Sequence, residues 1–253
     1  MGRTGLTHHL QHSFKIIPMR RNLIRLFVKI VIALLTRIER IGFDNIPSGG
    51  NFIIAANHLG YLDAFIMIYL MNYVKNENPI VIVAEKYERY AVFRWAVRVF
   101  EWDFIDRQNA EMRTMLNVIK RLKAGGFMAI APEGTRSKTE GLIEGKQGAA
   151  FLAAKSGAQV IPAGVIGSED RLFFANLKRL RRTPIRVIVG DAFEIPDIPR
   201  ENRDNYLQEQ TDEIMCQIAA LIPAKNRGVY KDHPRLKELI AEEKPSLSET
   251  LPA

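Results

Sequence analysis

Six short apolar runs punctuate the chain, at Phe52–Asn57, Ile80–Glu85, Asp103–Asp106, Phe127–Ala131, Gln159–Ile166 and Ile185–Val189. Runs this short, bounded by turn-forming or polar residues, read as buried strands. Helical stretches lie between several of them, at Ala64–Tyr73, Glu88–Phe100, Ala110–Lys123 and Gly148–Lys155, and a further one spans Glu209–Leu221. That alternation predicts an α/β fold in which a mixed, largely parallel sheet is flanked by helices. No internal repeat is visible.

The N-terminal pattern differs. Residues 21–40 carry a long apolar series that includes Leu26, Phe27, Ile30 and Leu34, interrupted by Arg25 and Lys29. At about 100° per residue the polar positions fall on one stripe and leave a wide apolar face. The interruptions leave no unbroken apolar stretch of about 20 residues, so a transmembrane helix is not expected. A face this wide suits a helix lying in a bilayer interface. Upstream, Leu6, Leu10, Phe14 and Ile17 form a second helical stripe that Pro18 stops. From Lys15 to Arg40 there are seven basic residues and one acidic, and basic residues at an anionic surface contribute roughly 1 kcal/mol each. No small-residue cleavage site follows, as a signal peptide would require.

Composition narrows the reading. With 253 residues and 47% hydrophobic content, the chain can bury one good core. A lone cysteine, Cys216, excludes a disulfide framework and fits a reducing setting, where it reads as a small core residue. The net charge of +8 is spread along the chain without a nucleic-acid fold motif, which argues against nucleic acid as a partner. No Cys/His cluster has metal-site spacing. Glu140 and Gln147 stand where a P-loop around Gly145-Lys146 would need glycine and Ser/Thr.

The candidate chemistry sits at the strand ends. Asn57-His58-Leu59-Gly60-Tyr61-Leu62-Asp63 follows the first strand and places an Asp five residues after a His, where a helix opens. A carboxylate on Nδ1–H fixes the imidazole tautomer and leaves Nε2 to take a proton. No Gly-x-Ser-x-Gly elbow occurs, so such a dyad would activate a hydroxyl brought by a substrate. Ala131-Pro132-Glu133-Gly134-Thr135-Arg136-Ser137 follows the fourth strand; glycine lets backbone approach a ligand, and arginine offers a fork to phosphate. Phe104-Ile105-Asp106-Arg107 delivers another arginine, and Val160-Ile161-Pro162-Ala163-Gly164 could form a pocket wall.

Taken in chain order, the four blocks resemble the glycerophospholipid acyltransferases, most closely the bacterial 1-acylglycerol-3-phosphate (lysophosphatidate) acyltransferases. That family carries Asn-His-x-x-x-x-Asp, Phe-x-x-Arg, Glu-Gly-Thr-Arg and a Val/Ile-Pro block. The likeness runs from about residue 40 to 195. Two stretches depart from the family's habit, Phe100-Glu101-Trp102-Asp103 and Glu144-Gly145-Lys146-Gln147-Gly148.

The resemblance implies that His58 is the general base on the acceptor hydroxyl and that Asp63 orients it. It implies substrate binding by Asn57, Arg107, Glu133, Gly134, Thr135, Arg136, Lys146, Ile161 and Pro162. The expected organisation is a membrane-docking pair of helices at 1–42, a catalytic domain at 43–223 and a charged tail at 224–253 whose end lacks fixed structure. The expected reaction moves a fatty acyl group from coenzyme A or acyl carrier protein to lysophosphatidate. Another lysolipid or glycerol 3-phosphate is the alternative acceptor, and a non-enzymatic membrane-binding relative is the alternative role. No metal or bound cofactor is expected. Backbone N–H groups near the His58 turn are the expected oxyanion stabilisers. The expected partners are the thioester donor, an anionic lysolipid and a phospholipid surface, at the cytoplasmic face of the cell membrane, with the chain peripheral or monotopic.

Overall fold

Phe52, Ile54 and Ala56 point to one side of strand β2 (Phe52–Ala56), Ile53 and Ala55 to the other, and all five are buried. A strand buried on both faces belongs in mid-sheet with helices above and below. The computed structural model describes residues 26–27, 29–71, 74, 79–84, 89, 103–105 and 112–242, with 82–84 and 103–105 as backbone alone.

Among these residues a six-stranded sheet has the order β1-β8-β7-β2-β6-β3. Its other members are β1 (Thr36–Ile41), β3 (Pro79–Ile80), β6 (Phe127–Ile130), β7 (Gln159–Ile166) and β8 (Thr183–Val189). All pairings are parallel except β7 with β8. A second sheet joins β4 (Ile82–Ala84) to β5 (Asp103–Ile105). The single strand expected at Ile80–Glu85 is thus two short strands serving different sheets. The mixed, largely parallel sheet flanked by helices is as expected.

Helices cover both faces. One face carries α2 (Leu62–Met71), with Ile66 and Leu70 fully buried, and Phe173 of α5 (Asp170–Lys178) beside them. The other carries α3 (Met112–Lys123), α4 (Gly148–Ser156) and α6 (Arg203–Ala220). Ala149, Ala150, Ala153 and Ala154 let α4 lie close to the sheet. Across β2 and β6, Phe52 faces Phe127 in register, their rings stacked 5.2 Å apart.

Two boundaries differ from expectation. The helix expected over 21–40 ends at 35 (α1, described at 26–27 and 29–35), and Thr36–Ile41 is an edge strand parallel to β8. Thr36, Ile38 and Ile41 favour strand backbone, and Glu39 lies opposite Arg186, bonded at 2.8 Å. The sheet therefore begins at 36, inside the segment expected to be a separate module at 1–42. The upstream stripe and residues 21–25 lie outside the described residues. No helix among the described residues is long and apolar enough to cross a membrane.

The expected tail at 224–253 is folded as far as 242. Helix α7 (Pro234–Glu242) packs on α6 with Leu236 fully buried, Tyr230 is buried, and Arg235 pairs with Glu213 at 2.6 Å. Cys216 is buried in that core, as expected, where burial pushes its thiol up to about 12. The end of the expected tail lies outside the described residues.

Leu236→Ala should accordingly cost about 2–5 kcal/mol, the range for emptying a fully buried leucine site. Urea unfolding checks this; an unchanged midpoint would mean the segment is a loose tail after all.

Candidate active site

Strands β2, β6 and β7 run parallel, so their C-terminal ends share one edge, the side where open α/β sheets place ligands. The His58 turn leaves β2 there and the Glu133 loop leaves β6. Asn57 crosses from β2 to β7: its Nδ2 donates to Val165 O (2.8 Å) and its Oδ1 accepts from Val165 N–H (2.7 Å). It is fully buried, extending the ladder by side chain where β2 ends. Asn57, expected as a substrate contact, is seen here as a clamp between strands.

His58 Nδ1 lies 2.9 Å from Asp63 Oδ2. The same oxygen accepts from Leu59 N–H and Gly60 N–H (2.8 Å). Asp63 is 1% exposed and His58 20%, so the carboxylate is walled in while the ring reaches the surface. With Nδ1–H directed at the carboxylate, Nε2 is the nitrogen available as a base. Asp63 sits in the first turn of α2, where an anion also meets the helix dipole favourably. Gly60 is required by close approach: a Cβ there would stand 2.2 Å from Ser168 O and 2.8 Å from Asp170 Oδ1.

Glu133 is buried, and both its carboxylate oxygens accept from backbone amides. Its Oε1 accepts from His58 N–H (2.8 Å) and its Oε2 from Ile143 N–H (3.1 Å). The loop grips His58 a second time through Ser137 N–H, which donates to His58 O at 2.9 Å. Burial raises the Glu133 pKa from 4.5 to about 7, against the lowering effect of its two backbone bonds. Gly134 has φ +67°, the left-handed conformation glycine adopts without strain, and the Lys146 stem runs beside it.

Thr135 and Lys146 are exposed at this edge. Arg136 donates from Nη1 to Asp170 Oδ2 at 2.7 Å, and its guanidinium lies 3.7 Å over the Tyr61 ring. Ile161 and Pro162, the expected pocket wall, are buried in β7, with Ile161 facing the α2 side of the core. Arg107 lies outside the described residues.

The structure adds Asp170, which the pattern analysis passed over. It opens α5, accepts from Tyr61 N–H (2.7 Å) and holds Arg136. Ser168-Glu169-Asp170 before an apolar helix is the kind of start signal that could have revealed it. The amides of residues 58, 59, 60 and 61 therefore all donate to carboxylates. None of the four remains for an oxyanion, because each already donates to a carboxylate.

Glu133→Gln presents an amide donor to two N–H groups that both need acceptors, and should cost about 1–3 kcal/mol. The pH dependence checks the assignment separately. With a folded pKa raised from 4.5 to about 7, the stability Glu133 contributes is complete below 4.5 and lost as pH rises through 7. The advantage of wild type over Glu133→Gln should shrink across that window by up to about 3 kcal/mol. Urea titrations of both proteins from acid to neutral pH measure this, and parallel curves would refute it.

Comparison with known proteins bears on what this edge does. The chain is 22% identical to the 1-acyl-sn-glycerol-3-phosphate acyltransferase of Bacillus subtilis over 201 residues, 77% of this chain and 92% of that protein. It is 25% identical to the protein of that name from Borreliella burgdorferi, over 71% of each. The crystal structure of the 1-acyl-sn-glycerophosphate acyltransferase of Thermotoga maritima shares the fold, with a TM-score of 0.55 at 21% identity, covering 79% of this chain and 81% of that one. The model of the Acyltransferase family matches residues 37–166, more than half the chain and the whole span from β1 through the His58 and Glu133 loops to the end of β7. This chain belongs to the acyltransferase family.

Proposed function

We propose that this acyltransferase moves a fatty acyl group from a thioester of coenzyme A or acyl carrier protein to the free hydroxyl of lysophosphatidate, giving phosphatidate. The observation that carries the mechanism is the His58–Asp63 contact at 2.9 Å, with the carboxylate buried and the imidazole at the strand edge. The names of its relatives favour this acceptor.

His58 Nε2 takes the hydroxyl proton as that oxygen attacks the thioester carbonyl. The tetrahedral intermediate then collapses, the carbon–sulfur bond breaks, and His58 returns the proton to the leaving thiolate. Asp63 keeps Nδ1 protonated and stabilises the imidazolium between the two steps. Arg136 meets the phosphate of the acceptor. A guanidinium has five N–H donors, and the contact at Nη1 leaves it able to meet Asp170 and an anion together. Arg107 belongs to the same head-group site by family resemblance, and Thr135 and Lys146 stand at its rim.

The chain works at a membrane surface, docked through α1. Leu26, Phe27, Ile30 and Leu34 lie on one stripe of that helix and are 48–69% exposed, while Ile32 anchors it to the core. An apolar stripe turned outward in this way suits a bilayer interface.

One labelled acyl thioester offered with a panel of lysolipids, with products read by mass, tests the acceptor; acylation of some other lysolipid alone would overturn it. His58→Ala should lower turnover by about 10²–10⁴-fold with the fold intact, and Asp63→Asn should lose less because part of the His58 population keeps the useful tautomer. Near-normal turnover of folded His58→Ala would rule the base out. Replacing Phe27, Ile30 and Leu34 by Ser should abolish sedimentation with vesicles, since each apolar side chain removed from water contributes roughly 1.5–3 kcal/mol. Full binding by a folded triple variant would move the docking surface elsewhere.

A further inference from the structure

We propose that the end of α5 and the turn after it, residues 177–182, form a second contact with an anionic phospholipid surface, carried by the catalytic domain itself. The choice of a lipid partner rests on the membrane reading above; the location rests on its own residues.

Helix α5 closes with two backbone bonds, Arg181 N–H to Asn176 O (2.9 Å) and Leu180 N–H to Leu177 O (3.0 Å). This arrangement puts the residue just before the last donor in the left-handed conformation, a place ordinarily filled by glycine. Here the residue is Leu180, at φ +51°. A Cβ in that conformation crowds the following carbonyl, so leucine is an unfavourable choice for the turn. It gains nothing inside the protein in return, being 94% exposed. A leucine held at this position needs an apolar environment supplied from outside.

The surroundings indicate which one. Lys178, Arg179, Arg181 and Arg182 flank Leu180 and are all exposed. Between 170 and 182 there are five basic residues and one acidic, and that acid, Asp170, is committed to Arg136 and the Tyr61 amide. Leu172, Phe174 and Leu177 add partly exposed apolar surface on α5. Apolar side chains ringed by cations match acyl chains beneath anionic head groups. A second copy of this chain, carrying the same positive charge on the same turn, would meet it with repulsion.

The turn also sits where such a contact would be useful. Arg182 Nε donates to Thr36 O at 2.9 Å, beside the junction of α1 with β1. At its other end, α5 begins with Asp170 against Arg136 and Tyr61. One short helix thus connects the proposed lipid contact to the edge of the active site.

The test uses the full chain with phosphatidylcholine vesicles, with and without phosphatidylglycerol. Leu180→Gly removes the apolar side chain and relieves the backbone, so it should bind vesicles about tenfold more weakly while melting at the same temperature or higher. Arg179→Gln with Arg181→Gln should weaken binding to the anionic vesicles by roughly fivefold per charge, leave the neutral ones unchanged, and be mimicked by salt. Turnover of a short-chain lysophosphatidate dissolved as monomers should be unaffected in both variants. If no lysolipid is acylated by the wild type, the proposed function fails while the vesicle result still decides the contact. Unchanged binding in both variants overturns it, as does a lowered melting temperature for Leu180→Gly. Conversion of a wild-type dimer to a monomer by Leu180→Gly, with vesicle binding intact, also overturns it in favour of a second copy.

Discussion

Four consecutive backbone amides, from His58 to Tyr61, donate to three carboxylates brought from different parts of the chain: Glu133, Asp63 and Asp170. Asp63 and Glu133 are buried where an unpaired carboxylate would be costly, and each amide lies in a turn that no ladder can satisfy. The His58 turn, the Glu133 loop and the start of α5 are thereby tied together. His58 inherits its position from this network, since its amide is held by Glu133 and its carbonyl by Ser137. Its backbone is held by the loops and, among the described residues, its ring by the Asp63 contact alone.

The network divides labour among residues that one motif would group together. In Asn57-His58 the first residue clamps β2 to β7 and only the second reaches the surface. In Glu133-Gly134-Thr135-Arg136 the acid points inward to support the His58 turn, while the last residues face outward. Arg136 is held in one orientation, stacked on Tyr61 and paired with Asp170. A pKa near 7 for Glu133 is the price of burying an acid as a brace.

Catalytic geometry and surface placement meet in α1 and α5. Both carry exposed apolar residues, and both abut the β1 edge, through the helix–strand junction at Thr36 and through Arg182. The edge strand thus does more than widen the sheet: it fixes α1 to the body that carries His58.

Much of this was legible in the chain itself. Apolar runs such as Phe52–Ala56 and Phe127–Ile130 announced buried strands because a strand covered on both faces needs no polar alternation. The spacing of His58 and Asp63 marked the dyad because a turn opening a helix brings positions five apart together. Long-range partners were not legible. The wide apolar face over 21–40 looked like one helix, yet at Thr36 pairing with β8 outweighed helical periodicity, since ladder bonds and the Glu39–Arg186 match exist only in the folded sheet. The segment after 223 looked like a charged tail, but Leu236 and Tyr230 are buried by α6, which no local pattern specifies. Motif membership assigned Asn57, Glu133, Ile161 and Pro162 to the ligand. In the structure all four are buried, because which way a side chain faces at a strand end depends on what packs above it. Asp170 joined the site only through the fold, more than a hundred residues from the turn it holds.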